Sequence, residues 1–292
     1  YLARRHRGGA VVVDARERKA LELVPGGTEP LRLLRDLLGL LGGPVNLVDL
    51  VAEIARSARR PSLVLLDEFH LFFTDTRQAL VALESLTGYL AKKPHGTPSL
   101  LVTVSEGFFA TTEALSRLTG YSTRFLLVEP MESRAFAKLY QEYREKNGCK
   151  RSLDEITGLA GPNPGYLVEL CSLDEKMLVN WVSERLTQLS HAVYRAALEL
   201  GENPLEATRE ANEILHGARP RTPRQHLLGE ILVKENIAYP CPAPPRRYLP
   251  QLPVYVAALE QAAEKQVPPD ELPVEEVLEN TRKLKQAAKK CR

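Results

Sequence analysis

The chain has 292 residues, 44% of them hydrophobic and 26% charged, which is the balance of a globular protein with room for a sizeable core. Its net charge of +2 is too mild to announce nucleic-acid binding by itself, and no stretch approaches the roughly 20 apolar residues of a membrane span or shows a secretory signal pattern. The four cysteines (Cys149, Cys171, Cys241, Cys291) form no C-x-x-C pair and have no histidine at ligand spacing, which predicts reduced thiols in a cytoplasmic protein rather than a disulfide frame or a zinc site.

The chain opens on Tyr1, which suggests that it begins inside a longer protein. Tyr1–Arg7 reads as the last turns of a helix closed by Gly8–Gly9. "AVVVDARE" reads as a buried parallel strand with Asp14 at its carboxyl end. "TEPLRLLRDLLGLLG" and "NLVDLVAEIARSA" place apolar residues at helical spacing. "SLVLLDEF" is the second strand, "TRQALVALESLTGYLAKK" an amphipathic helix and "SLLVTVSE" a third strand. "TTEALSRL" is a short helix and "TRFLLVEP" a fourth strand. Strands alternating with helices predict an α/β fold, a parallel sheet covered on both faces, over residues 1–130.

Residues 131–172 predict a small helical lid, with helices in "SRAFAKLYQEYREKNG", "SLDEITGLA" and "PGYLVELCS". Residues 173–266 follow as several helices, a proline-rich strand pair in "AYPCPAPPRRYLPQLP" and a further helix, the order of a winged-helix domain. Residues 267–292 form a helical tail, acidic first and basic last, which matches the helix macrodipole.

The chemistry centres on the carboxyl end of the second strand. Ligands of a parallel sheet sit beyond the carboxyl ends of its strands, so Leu63–Leu66 would deliver Asp67 and Glu68 to a crevice. A magnesium ion needs only one or two protein carboxylates, and a second acid beside it can polarise an attacking water. By itself the pattern is equally that of a strand whose last acid caps the next helix. Ser105 ends the third strand, where a polar side chain could contact a terminal phosphate or the attacking water. Arg124 opens the fourth strand, where a guanidinium could grip phosphate in a bidentate fork. "GPNPGYL" puts Asn163 and Pro164 at a helix start, and the proline offers a rigid apolar surface for a base. No Gly-Lys dipeptide occurs, so the G-x-x-x-x-G-K-[ST] loop that grips phosphates is absent from the chain. Its expected place is upstream of "AVVVDARE".

In this order, the "DEFH", "SEG", "TRFLLVEP" and "PNPGYL" segments resemble the archaeal ATPase family of the STAND and AAA+ P-loop NTPases, and "YLPQLPVYVAAL" resembles its winged-helix end. The likeness spans Tyr1 to about Gln266. It implies a Walker B strand in which Asp67 coordinates Mg2+ and Glu68 orients water. It further implies that Ser105 and Arg124 sense the γ-phosphate of ATP, that Pro164 lies against the base of ATP or ADP, and that Asn163 belongs to the same nucleotide site. The chain departs from the family in having Val104 before Ser105 and Pro162 before Asn163, where glycines are usual.

Three functions follow as expectations. The first is an ATPase that switches its winged helix. The second is a DNA-binding regulator that uses ATP as a conformational ligand, with Arg219, Arg221, Arg224, Arg246 and Arg247 on phosphates. The third is an interaction scaffold without nucleotide. A membrane partner is not expected.

Overall fold

The computed structural model describes residues 10–14, 19–22, 63–73, 75–92, 99–105, 107–118, 128, 130–241 and 247–283. The chain divides into two compact units, Tyr1–Phe125 and Leu126–Arg292.

The first unit contains strands β1 (Ala10–Asp14), β2 (Lys19–Glu22), β3 (Leu63–Asp67) and β4 (Ser99–Val102), in the order β2-β1-β3-β4. β1 and β4 both run parallel to β3, and β2 runs antiparallel to β1. β3 is therefore interior to this small sheet. Val64 and Leu66 are fully buried on one face, while Leu63, Leu65 and Asp67 alternate onto the other. Helix α1 (Thr76–Ala91) supplies Ala79, Leu80, Leu83 and Leu86 as a stripe at helical spacing. With Phe69, Phe109, and Ala114 and Leu118 of helix α2 (Thr112–Leu118), that stripe forms the core against Val64 and Leu66.

These features correct the expected fold class. Helix dominates the described residues, the strands are four or five residues long, and no extended parallel P-loop sheet core is present among them. The physical reason lies in run length. A run such as Leu63–Leu66 supports one short strand, whereas most other apolar residues recur at helical spacing and form helix stripes. The helix end expected at Tyr1–Arg7, the helices expected in residues 28–58, residues 123–127 and 129 of the expected strand "TRFLLVEP" with Arg124 among them, and Arg246 lie outside the described residues.

The second unit is built of α3 (Ser133–Asn147), α4 (Leu153–Ala160), α5 (Pro164–Ser172), α6 (Glu175–Leu200), α7 (Pro204–Leu215), α8 (Pro223–Lys234), the ribbon β5 (Ala238–Cys241) and β6 (Arg247–Pro250), α9 (Pro253–Lys265) and α10 (Val274–Lys283). Its helix starts follow local chemistry. Asn163, Asn203 and Thr222 each accept a backbone N–H with the side chain, and each is followed by proline at the first helical position. The buried Arg151 donates to the carbonyls of Leu170, Leu173 and Asp174 and meets Glu155, joining the start of α4 to the junction of α5 and α6.

The reduced-thiol expectation is also corrected. Cys149 and Cys171 are joined by a disulfide with Cα atoms 4.9 Å apart, Cys241 is disulfide-bonded as well, and no described cysteine is free. Sequence spacing of 22 residues conceals this pairing, because α3 and α5 bring the two positions together only on packing. Among the described residues no helix is long and apolar enough to cross a membrane.

Candidate functional site

The end of β3 is pinned before any side chain is considered. Beyond the paired strand residues, Thr103 N donates to Leu66 O at 2.9 Å and Phe69 N donates to Thr103 O at 3.0 Å. These bonds extend the β3–β4 ladder around Asp67 and Glu68 and hold Thr103 opposite them. Glu68 itself takes the left-handed conformation, φ 51° and ψ 44°, unusual for a residue with a side chain and a mark of local strain. The chain thereby turns sharply from the strand into the 3-10 helix Phe69–Phe72. Phe69 anchors that turn in the core, its ring 5.3 Å from Phe73 and 6.3 Å from Phe72.

The side chains converge accordingly. The Thr103 hydroxyl donates to Asp67 Oδ1 and accepts the backbone N–H of Glu68 at 3.0 Å. The Ser105 hydroxyl donates to Glu68 Oε2 at 2.7 Å. His70 Nδ1 lies 3.7 Å from the same oxygen. The structure thus brings Asp67, Glu68 and Ser105 together, as the sequence order suggests, and adds Thr103 and His70, which sequence reasoning missed. Both left a faint signal. Thr103 alternates with Ser105 along one strand end, and His70 stands two residues after Glu68.

The donor set bears on a metal ion. Among the described residues no group of three or more His, Cys, Asp or Glu side chains could hold one. Two carboxylates beside two hydroxyls suit a hard ion that keeps its waters and takes its remaining oxygens from a phosphate, which is how magnesium binds. Asp67 would hold such an ion, and the ion would supply charge neutralisation to the phosphate oxygens.

Asn163 and Pro164 belong to the second unit. The Asn163 side chain caps α5 by accepting Gly165 N–H at 2.9 Å, and Pro164 is exposed at the first helical position. Both residues therefore have a complete structural explanation as a helix start.

The arginines assigned to nucleic acid divide by environment. Arg219 and Arg221 are exposed on the approach to α8, and Arg247 is half-buried at the start of β6. Arg224 is engaged within the fold. Its Nε meets Glu202 Oε1, and its Nη2 is 3.6 Å from Glu210 Oε1. The Glu202 side chain is only 4% exposed, so it depends on that cation. Glu210 has its carboxyl pushed above the ordinary range, first by burial and then by the neighbouring charges of Glu213 and Glu206. The ribbon seats on α8 through Tyr248, whose ring packs over Gly229 and whose hydroxyl donates to Glu230 Oε1 at 3.0 Å.

Comparison of the chain with protein-family models, with curated proteins and with solved structures found no match in any of the three.

Proposed function

We propose that this protein binds ATP with Mg2+ and hydrolyses its terminal phosphoanhydride at Asp67–Glu68, in the manner of the archaeal ATPase family that its motifs resemble. One observation carries the reading: two adjacent carboxylates leave an interior strand together, and hydroxyls from the end of the neighbouring strand orient both. In this reading Asp67 holds the ion, Glu68 orients the attacking water, and Ser105 meets the water or the γ-phosphate. Arg124 is assigned the phosphate-sensing role by the resemblance. The nucleotide state would then alter how α8 and the β5–β6 ribbon are presented to a partner.

A cytoplasmic location remains part of the proposal. It is compatible with the disulfides if the protein comes from an organism of hot environments, whose intracellular proteins are rich in them.

The test uses the full-length protein, titrated calorimetrically with ATP and Mg2+ and assayed for phosphate release. ATP should bind, and Glu68→Gln should keep that binding while turnover falls by roughly 100-fold or more. Absence of nucleotide binding by the unaltered protein would sink the proposal.

The regulator reading is favoured by a separate observation, the exposure of Arg219 and Arg221 beside the start of α8. Its signature would be DNA affinity that falls steeply with salt and weakens in Arg219→Ala and Arg221→Ala.

A further inference from the structure

We propose that His70 is the positioning residue of Glu68, holding its carboxylate through Oε2 so that the acid keeps a single orientation toward the attacking water. The inference rests on the reading of Glu68 as the water-orienting acid.

Geometry brings the two side chains together. The left-handed turn at Glu68 sends the chain into the 3-10 helix Phe69–Phe72, and Leu71 N donates back to Glu68 O at 2.9 Å. Residue 70 is thereby folded toward residue 68. The His70 and Glu68 side chains are 10% and 15% exposed, and the Nδ1–Oε2 separation is 3.7 Å. That distance is slightly too long for a direct hydrogen bond, so the proposed contact requires a small swing of the imidazole about its broad second torsion.

The burial of His70 strengthens the case. Its Nδ1 is buried with no hydrogen-bond partner among the described residues. A ring nitrogen that deep ordinarily finds a partner, and Glu68 Oε2 is the acid oxygen within reach. Ser105 reaches Oε2 as well, from the end of the neighbouring strand. With that oxygen approached from two elements, the carboxylate cannot turn freely about its last bond. Ser105 is exposed, so water competes for its hydroxyl, whereas His70 is shielded. The imidazole would therefore act on that oxygen from the shielded side, and Ser105 from the exposed one.

Two measurements decide the matter. In the first, the ring-nitrogen resonances of His70 are recorded by NMR in the unaltered full-length protein and in Glu68→Gln. The Nδ1 resonance should move with the substitution, and an unmoved resonance would overturn the proposal. In the second, His70→Ala should lower kcat for ATP roughly tenfold to hundredfold, with KM changed by less than about twofold. His70→Asn places an amide nitrogen near the former Nδ1 and should restore most of the rate, whereas His70→Gln, which reaches toward Nε2, should not. Equal loss in all three variants, tracking their melting temperatures, would mean that His70 only fills space. If the protein hydrolyses no ATP at all, the ATPase reading fails, and the NMR comparison still decides whether His70 holds Glu68.

Discussion

Ser105 and Glu68 stand 37 residues apart in the chain and share a hydrogen bond of 2.7 Å. Thr103 makes the equivalent contact to Asp67 and also receives the Glu68 N–H. One strand end thus serves two acids through two hydroxyls spaced two residues apart, the spacing that puts side chains on one face of a strand.

The two hydroxyls should differ in their effect on stability. Thr103→Val removes the donor to Asp67 and leaves the Glu68 amide without its acceptor, which should cost about 1–3 kcal/mol in urea unfolding. Ser105→Ala, at an exposed position, should cost less than about 1 kcal/mol. An equal cost for both would contradict the placement of Thr103 between the acids.

Arg224→Ala should destabilise the protein by on the order of 3 kcal/mol, because it strands the buried Glu202 carboxylate. Arg219→Ala and Arg221→Ala should each stay within about 0.5 kcal/mol of the parent. Chemical denaturation of the three variants checks this ordering. A loss of DNA affinity in Arg224→Ala would therefore need its folded fraction measured before it could indicate a phosphate contact.

Gly229→Ala should be destabilising although alanine is the better helix former. The added Cβ would lie 2.3 Å from Tyr248 Cε2, and that ring is fully buried. Overpacking of about 1–3 kcal/mol outweighs the propensity gain of about 1 kcal/mol. The denaturation midpoint should fall, and a rise would show that the ribbon does not seat on α8 as described.

Stability should respond to pH through Glu210. Its carboxyl is raised above the ordinary value of 4.5, so the folded state binds the proton more readily than the unfolded chain does. The resulting stabilisation is complete below 4.5 and is lost as pH rises through the raised folded value. Glu210→Gln should flatten the dependence of melting temperature on pH across that window. An unchanged profile in the variant would remove Glu210 as its source.

Reduction should also matter. Cys149→Ser with Cys171→Ser opens a cross-link spanning 22 residues, which in the chain-entropy model contributes roughly 3 kcal/mol. The double variant should melt at a lower temperature than the parent, and a reductant should lower the parent toward it. No change in either measurement would argue against the bond.

Much of the local structure was legible from residues near each other in the chain. The Asn-Pro and Thr-Pro helix starts, the apolar stripe of α1 and the run Leu63–Leu66 ending in acids all depend on short-range chemistry, and each forms where the sequence places it. The extended parallel core was misjudged because alternating apolar segments indicate the type of an element better than the size of the sheet it joins.

Residue order alone determined that Asp67 and Glu68 end an apolar strand and that Thr222–Pro223 opens a helix, since backbone preference and periodicity act within a few residues. Tertiary structure decided which groups those residues meet: Thr103 and Ser105 on the acids, Glu202 on Arg224, Cys149 on Cys171. Such pairings depend on where packing brings distant segments. A side chain's type states what it can bond, and only the folded chain places the partner within reach.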